Sequence, residues 1–344
     1  MIITYFRSSS YNCHDMCNMA YFNEYVLGWR GPANIKADKG TIVHKVLEVM
    51  ALAKKAKQEG KKAIEDNICG LIPVVGYDIN TIVEKVFAYY SKSTDHNWSE
   101  KDFKDCKNWT WKALQWNDGQ FDPRRQEIVD AEPHFDVEIT EPWAIYNYKI
   151  DDKELSGFLR LKGTIDLITK VDDNTYEICD WKSGRRLNWA TGEEKTHAKL
   201  RNDPQLRLYH YAAHKLYNVN QILVTIFYIN DGGPFTVCFE QKDLNITLDM
   251  IKNKFETIKN DLKPMKNRSW KCSKLCHQGK STFKGTHIKP IVECRDRQVC
   301  DKGEIMTKCE QVALEIERKG IDRVTAEYAA PGHDIAFYKN PGEI

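Results

Sequence analysis

The sequence predicts a mixed α/β protein with a helical N-terminal lobe, a β-rich middle and a Cys-rich C-terminal lobe. Three observations carry that prediction. Apolar residues recur at helical spacing through the first part of the chain, and short β-rich runs separated by turn residues fill the middle. Cys272, Cys276, Cys294, Cys300 and Cys309 crowd the last quarter. With 344 residues and 42% hydrophobic content, the chain can bury a sizeable core as one large domain or two modest ones.

In the N-terminal lobe, Tyr21, Phe22, Tyr25 and Val26 share one helical face, and Val43, Val46, Leu47 and Met50 share another. Helices are also expected over residues 79–90 and 100–114. From Pro133 the texture turns to β-rich runs over residues 135–139, 159–170 and 175–181. Asp203 followed by Pro204 supplies an N-cap and a first-turn proline, opening a helix that runs to residue 216. Strands over residues 222–229 and 235–239 are split by the turn Asn230-Asp231-Gly232-Gly233-Pro234, and a helix over residues 247–262 follows. Beyond Lys263 periodicity fades, and only residues 307–319 read as a helix. A lobe so rich in loops needs a cross-link to hold it. The order of elements describes a mixed α/β core within a single domain, with residues 1–130 as the helical lobe, 131–262 as the core and 263–344 as the Cys-rich extension.

Composition excludes several classes. No apolar run approaches the length of a membrane span, and the opening Met1-Ile2-Ile3-Thr4-Tyr5-Phe6-Arg7 lacks the pattern of a secretory leader. The expectation is therefore a cytoplasmic protein without membrane contact. A formal charge of only +2 means that any nucleic-acid footprint has to be a local basic patch. Eleven cysteines without an export signal argue for metal ligation rather than a disulfide framework, because the cytosol keeps thiols reduced. Cys69, Cys106, Cys179 and Cys238 stand singly and read as small buried hydrophobes without a role.

Asp180 and Lys182 lie two residues apart on an expected strand, so both side chains leave the same face. That spacing alone also describes a solvated salt bridge. Context separates the readings: Gly163-Thr164-Ile165-Asp166 precedes it, and Val171-Asp172-Asp173-Asn174 joins the two runs with good turn chemistry. A hairpin centred near Asp173 sets Asp166 directly opposite Asp180, where like charges repel unless a cation lies between them. Such oxygen ligands suit Mg²⁺ or Mn²⁺, which can activate water and neutralise charge on a phosphate under attack. Lys182 would then orient that water or stabilise the developing negative charge. Trp181 points to the opposite face and can contribute only its backbone carbonyl. His44, beside the stripe of Val43, Val46 and Leu47 with Glu48 a turn further on, is either a packed boundary residue or a third ligand. Gln205 and Tyr209 share one face of the Pro204 helix, although Tyr209 equally fits a core. Arg185, Arg186, Lys195, Lys199 and Arg201, with Trp189 among them, form either a phosphate-contacting segment or a solvated loop.

Taken together, Gly40 to His44, Gly163 to Asp166, Asp180-Trp181-Lys182 and Gln205 to Tyr209 resemble, in order and across residues 8–216, the motifs of the RecB-type branch of the PD-(D/E)XK nuclease superfamily. The resemblance implies a central mixed β-sheet flanked by helices. It implies that His44, Asp166 and Asp180 ligate the divalent metal, that Lys182 is catalytic, and that Gln205 and Tyr209 engage DNA near the site. The implied activity is a metal-dependent DNA exonuclease in recombination, repair or end-processing. A structure- or sequence-specific endonuclease and a non-catalytic DNA-binding scaffold are the alternatives. No phosphate-binding Gly-rich loop with Lys-Ser/Thr occurs, so a helicase or recombination motor would be a separate partner.

The opening Ser8-Ser9-Ser10, Cys17, Tyr21-Phe22 and Tyr25 is similar to the N-terminal helix of that branch's iron–sulfur members, the AddB-type helicase-nucleases and the CRISPR-adaptation nucleases. In those proteins one early and three late cysteines hold a 4Fe–4S cluster. The resemblance implies Cys17, Cys272 beside Trp270-Lys271, and Cys276 as ligands; Cys13 falls one turn too early relative to the aromatics. The fourth ligand lies among Cys294, Cys300 and Cys309. Cys309 is preferred because it opens a helix whose N-terminal dipole favours a thiolate. Structural Zn²⁺ is the alternative, held locally by Cys272, Cys276, Cys294 and Cys300. A metal here would staple the C-terminal lobe and close a very long loop. The tail, residues 329–344, carries no functional assignment.

Overall fold

A computed structural model describes residues 1–29, 31, 34–150, 153–188, 191–267, 271–272, 276–280, 307–330 and 333. β1 (Tyr5–Phe6) leads into α1 (Ser8–Met16) and α2 (Asn18–Tyr21), which continues as a π-helical turn, Phe22–Val26. The N-terminal lobe then holds α3 (Ile35–Gln58), a hairpin of β2 (Ala63–Asp66) and β3 (Gly70–Pro73), α4 (Ile79–Ser93) and α5 (Glu100–Gln115). Next come β4 (Ile128–Ala131), β5 (His134–Glu138), β6 (Ile145–Ile150), β7 (Lys153–Phe158), β8 (Arg160–Thr164), β9 (Leu167–Lys170) and β10 (Thr175–Lys182). A short α6 (His197–Leu200) precedes α7 (Pro204–Tyr217), β11 (Gln221–Tyr228), β12 (Gly233–Glu240) and α8 (Asp243–Asn260). Helices at His277–Lys280, Lys308–Lys319 and Ile321–Tyr328 follow.

Local chemistry sets the boundaries that matter for function. The Asn34 side chain accepts the Lys36 and Ala37 N–H groups and starts α3. Asp203 accepts the Gln205 N–H while Pro204 occupies the first turn of α7, as the sequence predicts. That helix stops at Asn218, whose φ of 50° is left-handed.

The central sheet is mixed, in the order β12–β11–β10–β9–β4, and only β10 and β11 are parallel within it. A parallel pair needs a crossover, and α7 supplies it. Alternation along the strands divides the core into two layers. Ile178, Ile222, Val224 and Ile226 join Leu208 and Ala212 of α7 and Phe255 of α8. Cys179, Trp181 and Phe227 instead join Val43, Val46 and Met50 of α3, Val86 of α4 and Leu114 of α5. Each such large side chain stabilises the fold by ~1.5–3 kcal/mol, so the sheet is clamped firmly from both sides.

The structure departs from the expected strand over residues 159–170 at an informative place. That run is two strands in two sheets: β8 lies between β1 and β5 in a three-stranded sheet, and β9 lies in the central one. The partner run switches sheets at the same level, between β4 and β5. Pro133 has no N–H to give to a ladder, so pairing breaks there. Across the seam the Glu132 N–H donates to the Asp166 carbonyl at 3.0 Å and the Ile165 N–H to the Pro133 carbonyl at 3.1 Å. The β2–β3 and β6–β7 ribbons and the helix Ile321–Tyr328 also went unanticipated, and α8 begins at Asp243 rather than residue 247. Among the described residues, no helix is long and apolar enough to cross a membrane.

Candidate functional site

The β9–β10 hairpin places the two acids. Its last paired rung joins Cys179 to Leu167, so the next rung brings Asp180 beside Asp166. Both carboxylates are buried, at 1% and 8% exposure, which raises the cost of leaving them charged and unpartnered. Asp166 Oδ2 accepts the Trp181 N–H at 2.9 Å and lies 3.3 Å from Nδ1 of His44, which α3 delivers from the opposite side of the sheet. Asp180 Oδ1 accepts hydrogen bonds from Gln205 Nε2 at 2.9 Å and from the Tyr209 hydroxyl at 3.1 Å. Asp180 Oδ2 faces Lys182 Nζ at 2.6 Å as an ion pair, yet it receives no well-directed hydrogen bond among the described residues. Trp181 is 1% exposed and sits in the opposite layer, as its position on the strand predicts.

Two glycines permit this assembly. A Cβ on Gly40 would meet the Ser183 Oγ at 2.6 Å and the Ser183 Cβ at 3.7 Å, so a larger residue there requires the serine hydroxyl to turn or α3 to move back from the end of β10. A Cβ on Gly163 would lie 2.6 Å from the ring of Phe135, its cross-strand partner.

The charges at the site are strongly coupled. Burial pushes the Asp180 carboxyl up, and the neighbouring Asp166 adds to the effect. Burial acts the same way on Asp166, but His44 and Lys182 outweigh it and hold that carboxyl below the usual range. Burial opposes the Lys182 charge, and Asp180 and Asp166 more than restore it. Two buried carboxylates on one rung, one with an undirected oxygen, make a donor set that fits a hard divalent cation, with His44 adjacent. Among the described residues, no group of three His, Cys, Asp or Glu side chains stands ready-made to hold a metal ion.

Sequence reasoning missed Glu132. It occupies the sheet switch opposite Asp166 at a left-handed φ of 51°, and burial followed by the Asp166 and Glu48 charges pushes its carboxyl up to about 8. The signal was available as an acid directly before Pro133, where one β-rich run gives way to another.

The cysteines form a second group. Cys17, Cys272, Cys276 and Cys309 all line one cavity of about 370 Å³. The Asn267 N–H points at Cys17 Sγ at 3.4 Å, and Asn23 Nδ2 at Cys309 Sγ at 3.6 Å. Cys309 lies in the first turn of the helix Lys308–Lys319, capped by Thr307. Its thiol is pushed up first by a hydrogen bond with Cys276, then by burial, and further by the Cys276, Cys17 and Cys272 sulfurs. Cys294, Cys300, Trp189, Trp270 and most of the tail lie outside the described residues. Cys69, Cys106 and Cys179 are buried, but Cys238 is exposed because β12 is an edge strand and residue 238 points outward from it. In the basic segment, Arg186, Lys195, Lys199 and Arg201 pair with Glu194, Asp203, Glu193 and Asp243.

A family model described as the PD-(D/E)XK nuclease superfamily matches residues 8–278. No curated protein matches the chain. Among solved structures, a Eubacterium rectale protein provisionally described as an exonuclease aligns with a TM-score of 0.42 and 10% identity, covering 80% of this chain and 86% of that one. The matched residues take in α1, α3, Asp166, Asp180, Lys182 and α7 together, and the chain belongs to the PD-(D/E)XK nuclease superfamily.

Proposed function

We propose that the chain is a Mg²⁺- or Mn²⁺-dependent deoxyribonuclease of the RecB-type branch, acting as an exonuclease in recombination, repair or DNA end-processing. The observation that carries this reading is the single rung where Asp166 and Asp180 meet, with Lys182 on the same face as Asp180. Asp166, Asp180 and His44 are the residues that would hold the cation. When bound, the cation supplies Lewis acidity that neutralises charge on the scissile phosphate and sharpens water as a nucleophile. The chain's own groups do the positioning. Gln205 and Tyr209 fix the Asp180 carboxylate, the Trp181 amide fixes Asp166, and the Lys182 ammonium stabilises negative charge as the phosphorus–oxygen bond to the leaving strand breaks.

The test is to incubate the purified protein with linear and circular DNA, with and without Mg²⁺ or Mn²⁺. Loss of linear DNA alone, only with metal, is the expected result. Cutting of the circle would replace the exonuclease reading with an endonuclease. Cleavage undiminished in Lys182→Ala would remove the catalytic assignment, and no cleavage by the unaltered protein would favour a DNA-binding scaffold.

A second metal centre accompanies this reading. Cys17, Cys272, Cys276 and Cys309 would hold a 4Fe–4S cluster, supported by their shared cavity and by Cys309 opening a helix. Structural Zn²⁺ is the alternative for the same lobe.

A further inference from the structure

The last turns of α3, the bend that follows β3 and the 3-10 turn Pro123–Arg125 enclose a cavity of about 250 Å³. Lys54, Lys57 and Arg124 bring cationic groups to its wall, and no carboxylate lines it among the described residues. Arg124 is held from behind by the buried Asp122, which accepts from its Nε at 3.0 Å and from its Nη2 at 2.5 Å. The ammonium groups of Lys54 and Lys57 meet no acceptor among the described residues. Even with Asp122 counted, the charges of those two lysines stay uncompensated. Helix chemistry accounts for only part of this. The carbonyl end of α3 favours a cation in its last turn, where Lys57 lies, but the effect falls off toward Lys54.

The strand beside them adds an apolar stripe. Ile72 and Val74 turn inward, so Leu71 and Pro73 face solvent, and Val75 beyond the strand end is exposed as well. Leu71 is 73% exposed and Val75 69%, and Val75 stands in the cavity wall. A strand packed on one face ordinarily shows polar side chains on the other. Pro73 has no N–H to give to an added strand, so a partner would engage the side chains rather than extend the ribbon.

Position and chemistry together select the kind of partner. Along α3, Lys54 and Lys57 lie ~15 and ~20 Å beyond His44 and are turned roughly 80° and 140° around the axis from it. The one aromatic ring in the described lining, Tyr77, is half-buried, with its hydroxyl donating to the Met50 carbonyl at 3.4 Å, and offers no open face for a base to stack on. Bare aliphatic side chains beside cations match the apolar centre and polar rim of a protein interface better than the uniformly polar surface that nucleic acid selects. We infer that this surface docks an acidic segment of a partner protein, with carboxylates on Lys54, Lys57 and Arg124 and aliphatic side chains on Leu71, Pro73 and Val75. The inference stands on this surface alone and does not depend on the nuclease reading.

The test uses the full-length protein and a short fluorescein-labelled peptide in which glutamate and leucine alternate, read by fluorescence anisotropy across a salt series. The unaltered chain should bind it, more weakly as salt rises, and should lose affinity when glutamine replaces the glutamates or serine the leucines. Lys54→Gln/Lys57→Gln should weaken binding about tenfold, and Val75→Ser about threefold. All three side chains are half-buried or exposed, so both variants should keep the melting temperature of the unaltered protein. If the double variant unfolds, Val75→Ser carries the test by itself. Labelled single-stranded and duplex oligonucleotides are measured alongside in EDTA. A loss of their affinity in the double variant, with peptide binding unchanged, overturns the inference in favour of a nucleic-acid contact. Failure of the unaltered chain to bind the peptide, or equal affinity in the unaltered and folded variant proteins, overturns it as well.

Discussion

Gly40 and Ser183 touch across the junction of α3 and β10, so closely that a Cβ on residue 40 would lie 2.6 Å from the serine hydroxyl. That contact sets how far His44, one turn along α3, can reach toward Asp166. Gly40→Ala should therefore push the helix away from the strand, destabilising the protein by ~1–3 kcal/mol through overpacking. Activity should fall by ~10²-fold, the scale of a 1 Å displacement of a reacting group. Removing the clashing hydroxyl should repair the damage, because the next nearest atom, Ser183 Cβ, is 3.7 Å away. The double variant Gly40→Ala/Ser183→Ala, assayed for cleavage and thermal unfolding, should approach the unaltered protein. No recovery would mean that the spacing of α3 and β10 is not what the glycine protects.

The rung that joins Asp166 to Asp180 was legible from the sequence because turn residues centred at Asp173 fix the register, and register in a hairpin fixes which side chains oppose. Helix α7 was legible from Asp203 and Pro204. Glu132 was not, because its arrival depends on two strand pairs changing sheets at the same level, and no local propensity encodes that coincidence. The β2–β3 ribbon escaped for a different reason: Ala63, Glu65 and Asp66 are weak strand formers, and the pairing depends on the turn into Gly70 at φ 72°. His44 marks the boundary between the two cases. Its helix was readable from periodicity, whereas its 3.3 Å approach to Asp166 exists only once α3 is docked.

Tyr209 and Gln205 both donate to Asp180 Oδ1, and Gln205 Nε2 also reaches the Tyr209 hydroxyl at 2.9 Å. If their work is to hold that carboxylate, Tyr209→Phe should lower kcat and raise the Mn²⁺ concentration needed for half-maximal rate, leaving the KM for DNA unchanged. The lost hydrogen bond should cost ~1–3 kcal/mol of stability. Combining Tyr209→Phe with Gln205→Ala should give a non-additive result of ~0.5–3 kcal/mol, because one network is broken twice. A rise in KM for DNA with kcat intact would instead make the tyrosine a strand contact.

His210 supplies a pH dependence away from the site. The ring is 1% exposed and stacked on Phe239 at 5.0 Å, and burial lowers its pKa from 6.5 to about 4. Because the folded value lies below the unfolded one, the unfolded chain takes up the proton first as pH falls. Stability is unaffected above pH 6.5, declines between 6.5 and about 4, and levels off below that. At pH 5 the loss from this residue is ~2 kcal/mol. His14 is also lowered to about 4, mainly by burial and then by Lys254, and adds a similar decline. Urea midpoints at pH 7 and pH 5 should show a change on acidification that is ~2 kcal/mol more favourable to the fold in His210→Leu than in the unaltered protein, since the other titrating groups, Glu132 among them, are common to both. An identical acid drop in the variant would show that His210 titrates in the folded chain as it does in the unfolded one, so that burial does not lower its pKa.

Cys17 and Cys309 come from opposite ends of the chain into one cavity with Cys272 and Cys276. Without metal, the gathered sulfurs make thiolate formation harder, and this mutual opposition is part of what drives the Cys309 thiol upward. A cationic centre reverses the sign, since each neighbouring thiolate then shares a positive charge rather than repelling another negative one. Anaerobically purified protein should therefore be coloured and contain iron and acid-labile sulfide. Cys17→Ala and Cys309→Ala should each lose both, along with ~2–5 kcal/mol of stability if the cross-link behaves like a covalent staple closing a long loop. Cys106→Ala, buried among the N-terminal helices, should keep its iron and serves as the control for a generic loss of a buried cysteine. Zinc in place of iron, retained in Cys17→Ala, would move the metal to a local site in the C-terminal lobe and free the N-terminal helix from it. Metal analysis of the three variants decides between these outcomes, and unfolding curves with and without chelator show whether the centre holds the lobe in place.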